Sequence, residues 1–102
     1  MSIFTKIINK EIKTEIIYEQ EDIIVIKDIN PQAKTHLLII PKKEIETIND
    51  IKEEDRNMIS EMFFVAKKVA KDLKVDSWYK LILNVWSYQE IKHIHMHLLS
   101  DL

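Results

Sequence analysis

Histidines stand at positions 93, 95 and 97, in the run HIHMHLLS, and a fourth stands at position 36, in KTHLLII. Successive side chains of a β-strand point to opposite faces, so His93, His95 and His97 would share one face while Ile94, Met96 and Leu98 point into a core. The histidine face must then be open to solvent or backed by something polar. A solvated strand face is the plainest outcome of such a row. A metal site is another, since two histidines two residues apart on a strand can share a zinc ion, but no acidic residue is obviously placed to support them. The third is covalent chemistry at phosphorus. A neutral imidazole is a competent nucleophile near pH 7 when a second group fixes its tautomer. Neighbouring imidazoles can hold the phosphate oxygens and protonate the departing group.

The elements that must position these rings follow from hydrophobic periodicity. Residues 3–10 read as a short helix, with Ile3, Phe4, Ile7 and Ile8 facing inward. Residues 15–19 and 22–28 read as strands of a hairpin around Gln20 and Glu21. NPQAK at 30–34 is a loop, and THLLIIP at 35–41 is a strand that stops at Pro41. Asn49 or Asp50 can cap a long helix running to about Leu73, and Asp50 with Glu53 has the spacing of a capping box. Its expected buried stripe is Met58, Ile59, Met62, Phe63, Ala66, Ala70 and Leu73. Residues 78–86 and 93–99 read as the fourth and fifth strands. The fold class is therefore α+β, a five-stranded, mainly antiparallel sheet with a short N-terminal helix and one long helix.

A chain of 102 residues suits one domain, 1–102. A formal net charge of −2 gives no general attraction for nucleic acid or an anionic membrane, and neither is expected as a partner. With no cysteine there is no disulfide framework and no thiol nucleophile. The apolar runs are too short to cross a bilayer, and MSIFTKIINKEIK lacks a signal-peptide core, so the cytoplasm is the expected compartment. The chain has no glycine, so positive-φ positions must fall to residues such as Asn, Asp or Ser, or be avoided.

The runs IFTKIINKEI, EIIYEQEDIIVIKDINPQAKTHLLIIPKK and NVWSYQEIKHIHMHLL together resemble the histidine triad (HIT) superfamily, and within it the HINT branch of purine nucleoside phosphoramidase-like proteins. The resemblance covers nearly the whole chain. It implies the HIT fold and a nucleotidyl-transfer site, with His95 as the nucleophile that forms a nucleotidyl-histidine intermediate. It further implies that His93 orients the nucleophile, that His97 lies near the leaving group, and that His36 completes the cluster. By its type alone, His36 reads as a hydrogen-bonded core histidine and Asp28 as a turn aspartate. By resemblance, Asp28 binds the ribose hydroxyls, which suits a carboxylate that accepts two hydrogen bonds. Asn84 and Gln89 match polar residues near the phosphate. Ile3, Phe4, Ile7, Ile12, Ile26 and Ile29 match apolar positions around the purine, where each could equally be core.

The implied reaction is hydrolysis of a purine nucleoside 5′-phosphoramidate, or of an acyl or amino nucleotide, to the monophosphate (AMP or GMP). Cleavage of dinucleoside polyphosphates and a weakly catalytic nucleotide-binding or scaffolding role are the alternatives. No metal and no cofactor is implied, since histidines and backbone amides can stabilise the phosphoryl charge. A homodimer is implied, joined through the apolar LILNVW strand and the long helix. The chain departs from the family pattern in several places. NVWSYQEIKH is about two residues short, with Tyr88 where a glycine is expected and Glu90 where a hydroxyl is expected, and this suggests reduced activity. The family's C-terminal tail is expected to be absent after Leu102. Ser2 and Thr5 stand where some relatives carry zinc-binding cysteines.

Overall fold

The computed structural model describes residues 1–102. Its main elements are α1 (Ile3–Ile8), β1 (Ile16–Glu19), β2 (Ile23–Lys27), β3 (Thr35–Pro41), α2 (Arg56–Asp72), β4 (Lys80–Leu83) and β5 (Met96–Ser100). The five strands form one sheet in the order β1-β2-β3-β5-β4, and every neighbouring pair is antiparallel. The β1–β2 hairpin forms as expected, with a register irregularity between Ile16 and Tyr18.

Strand alternation splits the apolar residues into two cores. Ile23, Val25, Leu37, Ile39, Met96 and Leu98 pack with Met62, Val65, Ala66, Val69 and Ala70 of α2. On the other face Ile24, Ile26, Leu38 and Ile40 pack with Phe4 and Ile7 of α1. The sheet is thus covered by a helix on each side. The short α1 packs on the face that also carries His36 and His97.

Three boundaries differ from the expectations. Helix α2 begins at Arg56, and residues 48–50 and 53–55 form separate 3-10 turns joined by extended backbone at Ile51 and Lys52. The residue that captures an orphan amide is Asp55, whose carboxylate accepts from the Lys52 N–H at 3.0 Å and from Lys43 Nζ at 2.6 Å. Glu53 instead pairs with Arg56. Strand β4 is shorter than 78–86, because Trp86 turns the chain with φ 57°. Strand β5 starts at Met96, not His93, because the Ile94 N–H donates to the Ile45 carbonyl at 2.8 Å and leaves the ladder.

The stripe of α2 is also rotated from the expected one. Val65 and Val69 are buried, Met58 and Ile59 are half-buried, and Phe63 is 45% exposed. Phe63 lies about 100° around the helix from Met62, at the edge of the buried arc. Leu73 lies past the last helical residue and is exposed. On α1, Phe4 and Ile7 face the core while Ile3 is exposed.

Positive φ falls to lysine and tryptophan rather than to Asn, Asp or Ser: Lys10 (64°), Lys74 (61°) and Trp86 (57°). The two lysines each close a helix. The Lys74 N–H donates to the Lys71 carbonyl at 3.0 Å and Val75 to Ala70 at 2.9 Å, while Lys10 donates to Ile7 at 3.0 Å and Glu11 to Lys6 at 2.9 Å. Both ends are Schellman motifs, in which this position usually falls to glycine.

Candidate active site

Pairing of β3 with β5 sets Leu38 opposite His97 and His36 opposite Leu99. His36 and His97 therefore lie diagonally on one face, and His36 Nε2 reaches His97 Nδ1 at 2.9 Å. Their tautomers follow from the neighbouring donors. The backbone N–H of Gln32 donates to His36 Nδ1 at 3.0 Å, so that nitrogen carries no proton. The His36 proton is then on Nε2 and is donated to His97 Nδ1. His97 in turn carries its proton on Nε2. Asp28 Oδ2 lies 3.4 Å from His36 Nε2, and Asp28 Oδ1 accepts the N–H of Asn30 at 2.9 Å.

The other two rings are held by carbonyls, which only accept. His95 Nδ1 lies 2.8 Å from the His93 carbonyl, so Nδ1 donates and Nε2 keeps a free lone pair. His93 Nε2 donates to the Pro41 carbonyl at 2.7 Å, and His93 Nδ1 lies 2.6 Å from Ser2 Oγ. Phe4 meets the His95 ring edge-to-face at 5.0 Å and the His93 ring at 5.6 Å. The His95 and His97 rings are 4.9 Å apart.

The three histidines do not share one open face. His93 is 0% exposed and His95 7%, because α1 closes over them with Phe4 and Ser2. His97 is half-buried. Burial disfavours the imidazolium and holds His93 and His95 below the ordinary histidine range. His97 is pushed down to about 4, first by burial and then by the positive charge that His95 and His36 would carry. All three are neutral at pH 7, the form a nucleophilic or hydrogen-bonding imidazole needs.

The remaining sequence candidates divide. Asn84 is half-buried just after β4, and its side-chain amide makes no hydrogen bond within the protein. Gln89 is buried, and its amide is spent on its own loop: Oε1 accepts from the Trp86 N–H at 3.0 Å, and Nε2 donates to the carbonyls of Glu46 at 2.8 Å and Ile91 at 3.2 Å. Phe4, Ile7 and Ile26 are buried in the core on the histidine side, while Ile3, Ile12 and Ile29 are exposed. Glu90 is exposed and forms no ion pair, and Lys92 is engaged with the Trp86 carbonyl at 2.5 Å instead. Sequence reasoning missed Gln32, Pro41 and Glu44 as partners of the histidines. Their contribution is largely through backbone groups and a distant hydrogen-bond chain, and neither leaves a residue-type signal.

Asp28, His36 and His97 present donor atoms within 4.8 Å of one another, the geometry of a small metal cluster. The chemistry of the set does not fit a metal. His36 must keep Nδ1 bare to accept the Gln32 N–H, which leaves the proton on Nε2, the atom facing the other two residues. A ligating nitrogen needs a free lone pair. The arrangement is suited instead to a nucleophile, His95 Nε2, beside a hydrogen-bond donor, His97 Nε2.

This sheet, with four histidines on and beside its β3–β5 pair, defines a histidine triad protein. The whole chain, residues 1–102, matches the family model described as scavenger mRNA decapping enzyme C-term binding. Among characterised relatives, it is 43% identical over 102 residues to the purine nucleoside phosphoramidase of Escherichia coli (strain K12), covering 97% of this chain and 86% of that protein. Among solved structures, a HIT family hydrolase from Legionella pneumophila Philadelphia 1 is 42% identical with a TM-score of 0.96, over 100% of this chain and 94% of that one. A HIT family hydrolase from Clostridium thermocellum is 40% identical with a TM-score of 0.94, over 99% and 90% of the two chains. The chain belongs to the histidine triad family and is one of its hydrolases.

Proposed function

We propose that this hydrolase cleaves purine nucleoside 5′-phosphoramidates through a nucleotidyl-His95 intermediate. The observation that carries the reading is the tautomer of His95, whose Nδ1–H is committed to the His93 carbonyl and whose Nε2 lone pair is therefore free. The similarity to a purine nucleoside phosphoramidase over nearly the whole chain supports the substrate class. In the first step His95 Nε2 bonds to the α-phosphorus and the P–N bond breaks, its electron pair leaving with the amine. The leaving nitrogen accepts a hydrogen bond from His97 Nε2–H and takes up one proton from solvent as it departs, so that His97 stays neutral. The positive charge on nucleotidyl-His95 is stabilised through Nδ1–H and the His93 carbonyl. Water next attacks phosphorus and gives one proton to solvent, the bond to His95 breaks with its electron pair returning to Nε2, and the nucleoside monophosphate is released. Asp28 binds the ribose, and Asn84, with its free amide, donates to a phosphate oxygen.

The functional unit in this proposal is a homodimer. Strand β4 is an edge strand, paired only with β5, and exposed aromatic residues, Trp78 and Trp86, flank it. Phe63 and Phe64 are exposed on α2. An unpaired apolar edge beside large exposed side chains is the kind of surface that a second copy covers. Light scattering at tens of micromolar is expected to give twice the chain mass; a monomer would exclude the dimer.

The test of the reaction is turnover of adenosine 5′-phosphoramidate, beside diadenosine tetraphosphate and equilibrium binding of AMP. Turnover is expected with the phosphoramidate, together with a nucleotidyl adduct detected by mass spectrometry after acid quenching. His95→Ala is expected to remove the adduct and the turnover. Binding of AMP without turnover of either substrate would favour a nucleotide-binding role, and preference for the tetraphosphate would move the activity to pyrophosphate cleavage.

A further inference from the structure

Between His93 and the N-terminal end of α1 lies a chain of polar contacts that the reaction above does not use. Ser2 Oγ sits 2.6 Å from His93 Nδ1 and 3.3 Å from Thr5 Oγ1, and it accepts the Thr5 backbone N–H at 3.1 Å. Thr5 Oγ1 donates to Glu44 Oε1 at 2.6 Å, and the same carboxylate oxygen accepts the Ser2 backbone N–H at 2.7 Å. These bonds hold Glu44 at about 2, well below the usual carboxylate range, so it is ionised at all working pH values. The chain thus runs from a surface carboxylate through two hydroxyls to a fully buried ring. Its other end is the His93 carbonyl, 2.8 Å from His95 Nδ1.

We infer that Ser2, Thr5 and Glu44 are positioning residues, a carboxylate-anchored hydroxyl relay that fixes the His93 ring and, through the His93 carbonyl, the tautomer and aim of His95. The argument is one of donor accounting. His93 Nε2 is committed as a donor to Pro41, so a neutral His93 needs a donor at Nδ1, and Ser2 O–H is the one present. With its single proton on His93, Ser2 is tied to Thr5 by the Thr5 backbone N–H, and its hydroxyl turns to Thr5 Oγ1 only when His93 is protonated. Without it a buried nitrogen is orphaned, and the ring is free to tilt in its pocket. The carbonyl of the same residue then shifts against His95, whose Nε2 must stay bare to attack. The relay also tolerates charge. If His93 gains a proton, Ser2 accepts from Nδ1, turns its own proton to Thr5, and Thr5 still donates to Glu44. No step of that rearrangement leaves an unpaired group. The roles resemble a catalytic triad displaced by one residue, in which an acid orients an imidazole that does not itself touch the substrate.

The inference rests on the proposed nucleophile for its catalytic meaning, but its first test needs no substrate. Long-range 15N NMR of the imidazoles distinguishes Nδ1–H from Nε2–H tautomers. The parent is expected to show His93 as Nε2–H and His95 as Nδ1–H, both in single forms. Ser2→Val and Ser2→Thr differ from each other by one hydroxyl in the same shape. Ser2→Val is expected to leave His95 as a mixture of tautomers, while Ser2→Thr keeps the parent pattern. Glu44→Gln, at an exposed position where the fold is not at risk, is expected to broaden the His93 signals. In turnover of the phosphoramidate, Ser2→Val is expected to lower kcat about tenfold with KM within twofold, the loss of one hydrogen bond at the nucleophile's support. A His95 tautomer unchanged in both Ser2→Val and Glu44→Gln overturns the inference, whatever happens to kcat. A changed tautomer with kcat within twofold of the parent overturns its catalytic meaning. If the parent itself does not turn over, the NMR pattern still decides whether the relay fixes His95, and the reaction assignment fails separately.

Discussion

Lowering the pH from 8 to 5 should destabilise this protein more than its carboxylates account for, because three neutral imidazoles are enclosed at the site. Burial holds His93, His95 and His97 below the ordinary value, while in the unfolded chain each titrates near the ordinary histidine value of 6.5. Between the two values the unfolded state binds protons that the folded state refuses. Stability is therefore complete above about pH 7 and is lost as pH falls through the window below 6.5. For His97, with a folded value of about 4, linkage gives about 2 kcal/mol lost by pH 5. Its partial exposure to solvent reduces this to roughly 1–2 kcal/mol, and His93 and His95 add with the same sign. Glu44 and Asp55 are lowered instead, so their contributions are lost only as pH falls below the ordinary carboxylate range, toward about 2 for Glu44. The window from 8 to 5 thus isolates the histidines. Urea unfolding at pH 8, 6.5 and 5 should show the free energy falling steadily, and His97→Gln should flatten the curve by the share assigned to it. A free energy constant within about 0.5 kcal/mol over that range would refute the enclosure argument, since linkage permits no slope only where folded and unfolded states bind equal numbers of protons.

Asp28→Ala should weaken AMP binding by roughly 1–3 kcal/mol, the range for a charged hydrogen-bonded pair, and lower the unfolding free energy by about 0.5–1.5 kcal/mol for the lost bond from the Asn30 N–H; calorimetric titration and urea unfolding check the two. Glu90→Ser should change phosphoramidate turnover by only about threefold. At an effective dielectric near 20 and about 6 Å, its carboxylate would repel a phosphate by roughly 3 kcal/mol, but an exposed side chain is screened close to the limit of water, about 0.7 kcal/mol. A gain of a hundredfold would mean that the carboxylate turns inward. Replacing Lys74 with glycine should stabilise the fold by about 0.5–1 kcal/mol, since a left-handed residue with a Cβ costs about 1–2 kcal/mol and glycine returns part of that as unfolded-state entropy. Lys10→Gly should gain less, because it also removes the ion pair with Glu19 at 2.8 Å. Chemical denaturation of the single and double variants measures it, and additive gains are expected because the two helix ends are independent.

Strands β2 and β3 were legible as short, unbroken, β-branched apolar runs because both of their faces are buried. The four histidines alone left solvated, metal-binding and nucleophilic readings open, and the resemblance of the flanking runs to the histidine triad family chose among them. What the sequence hid was decided by groups that carry no residue-type signal. The triad reads as three residues of one strand, yet His93 and His95 precede it, because Ile94 pairs with the backbone of Ile45 and the His93 ring with the backbone of Pro41. Helix α2 begins six residues after Asp50 because Asp55, not Asp50, captures a free amide. Gln89 has the residue type to bind phosphate, but three backbone groups already use its amide.

The same backbone groups explain how the four rings come to differ in role. Every histidine here is chemically the same residue, and only what faces each nitrogen distinguishes them. Gln32 offers an N–H to His36 and so drives its proton toward His97. Pro41 and His93 offer carbonyls to His93 and His95 and so hold the proton on the side facing away from attack. One line of hydrogen bonds therefore ends in an N–H at His97 Nε2, and the other ends in a lone pair at His95 Nε2, on rings 4.9 Å apart. The proposed reaction uses this pair as the nucleophile and the donor that displacement at phosphorus requires. The pairing arises without glycine-rich backbone and without charge on any ring. Exchanging the donor at Gln32 for proline, which has no N–H, should release the His36 tautomer and with it the Nε2 proton of His97. Gln32→Pro should then lower turnover while leaving the His95 tautomer as it was, and a change at His95 alone would show that the two lines are not independent.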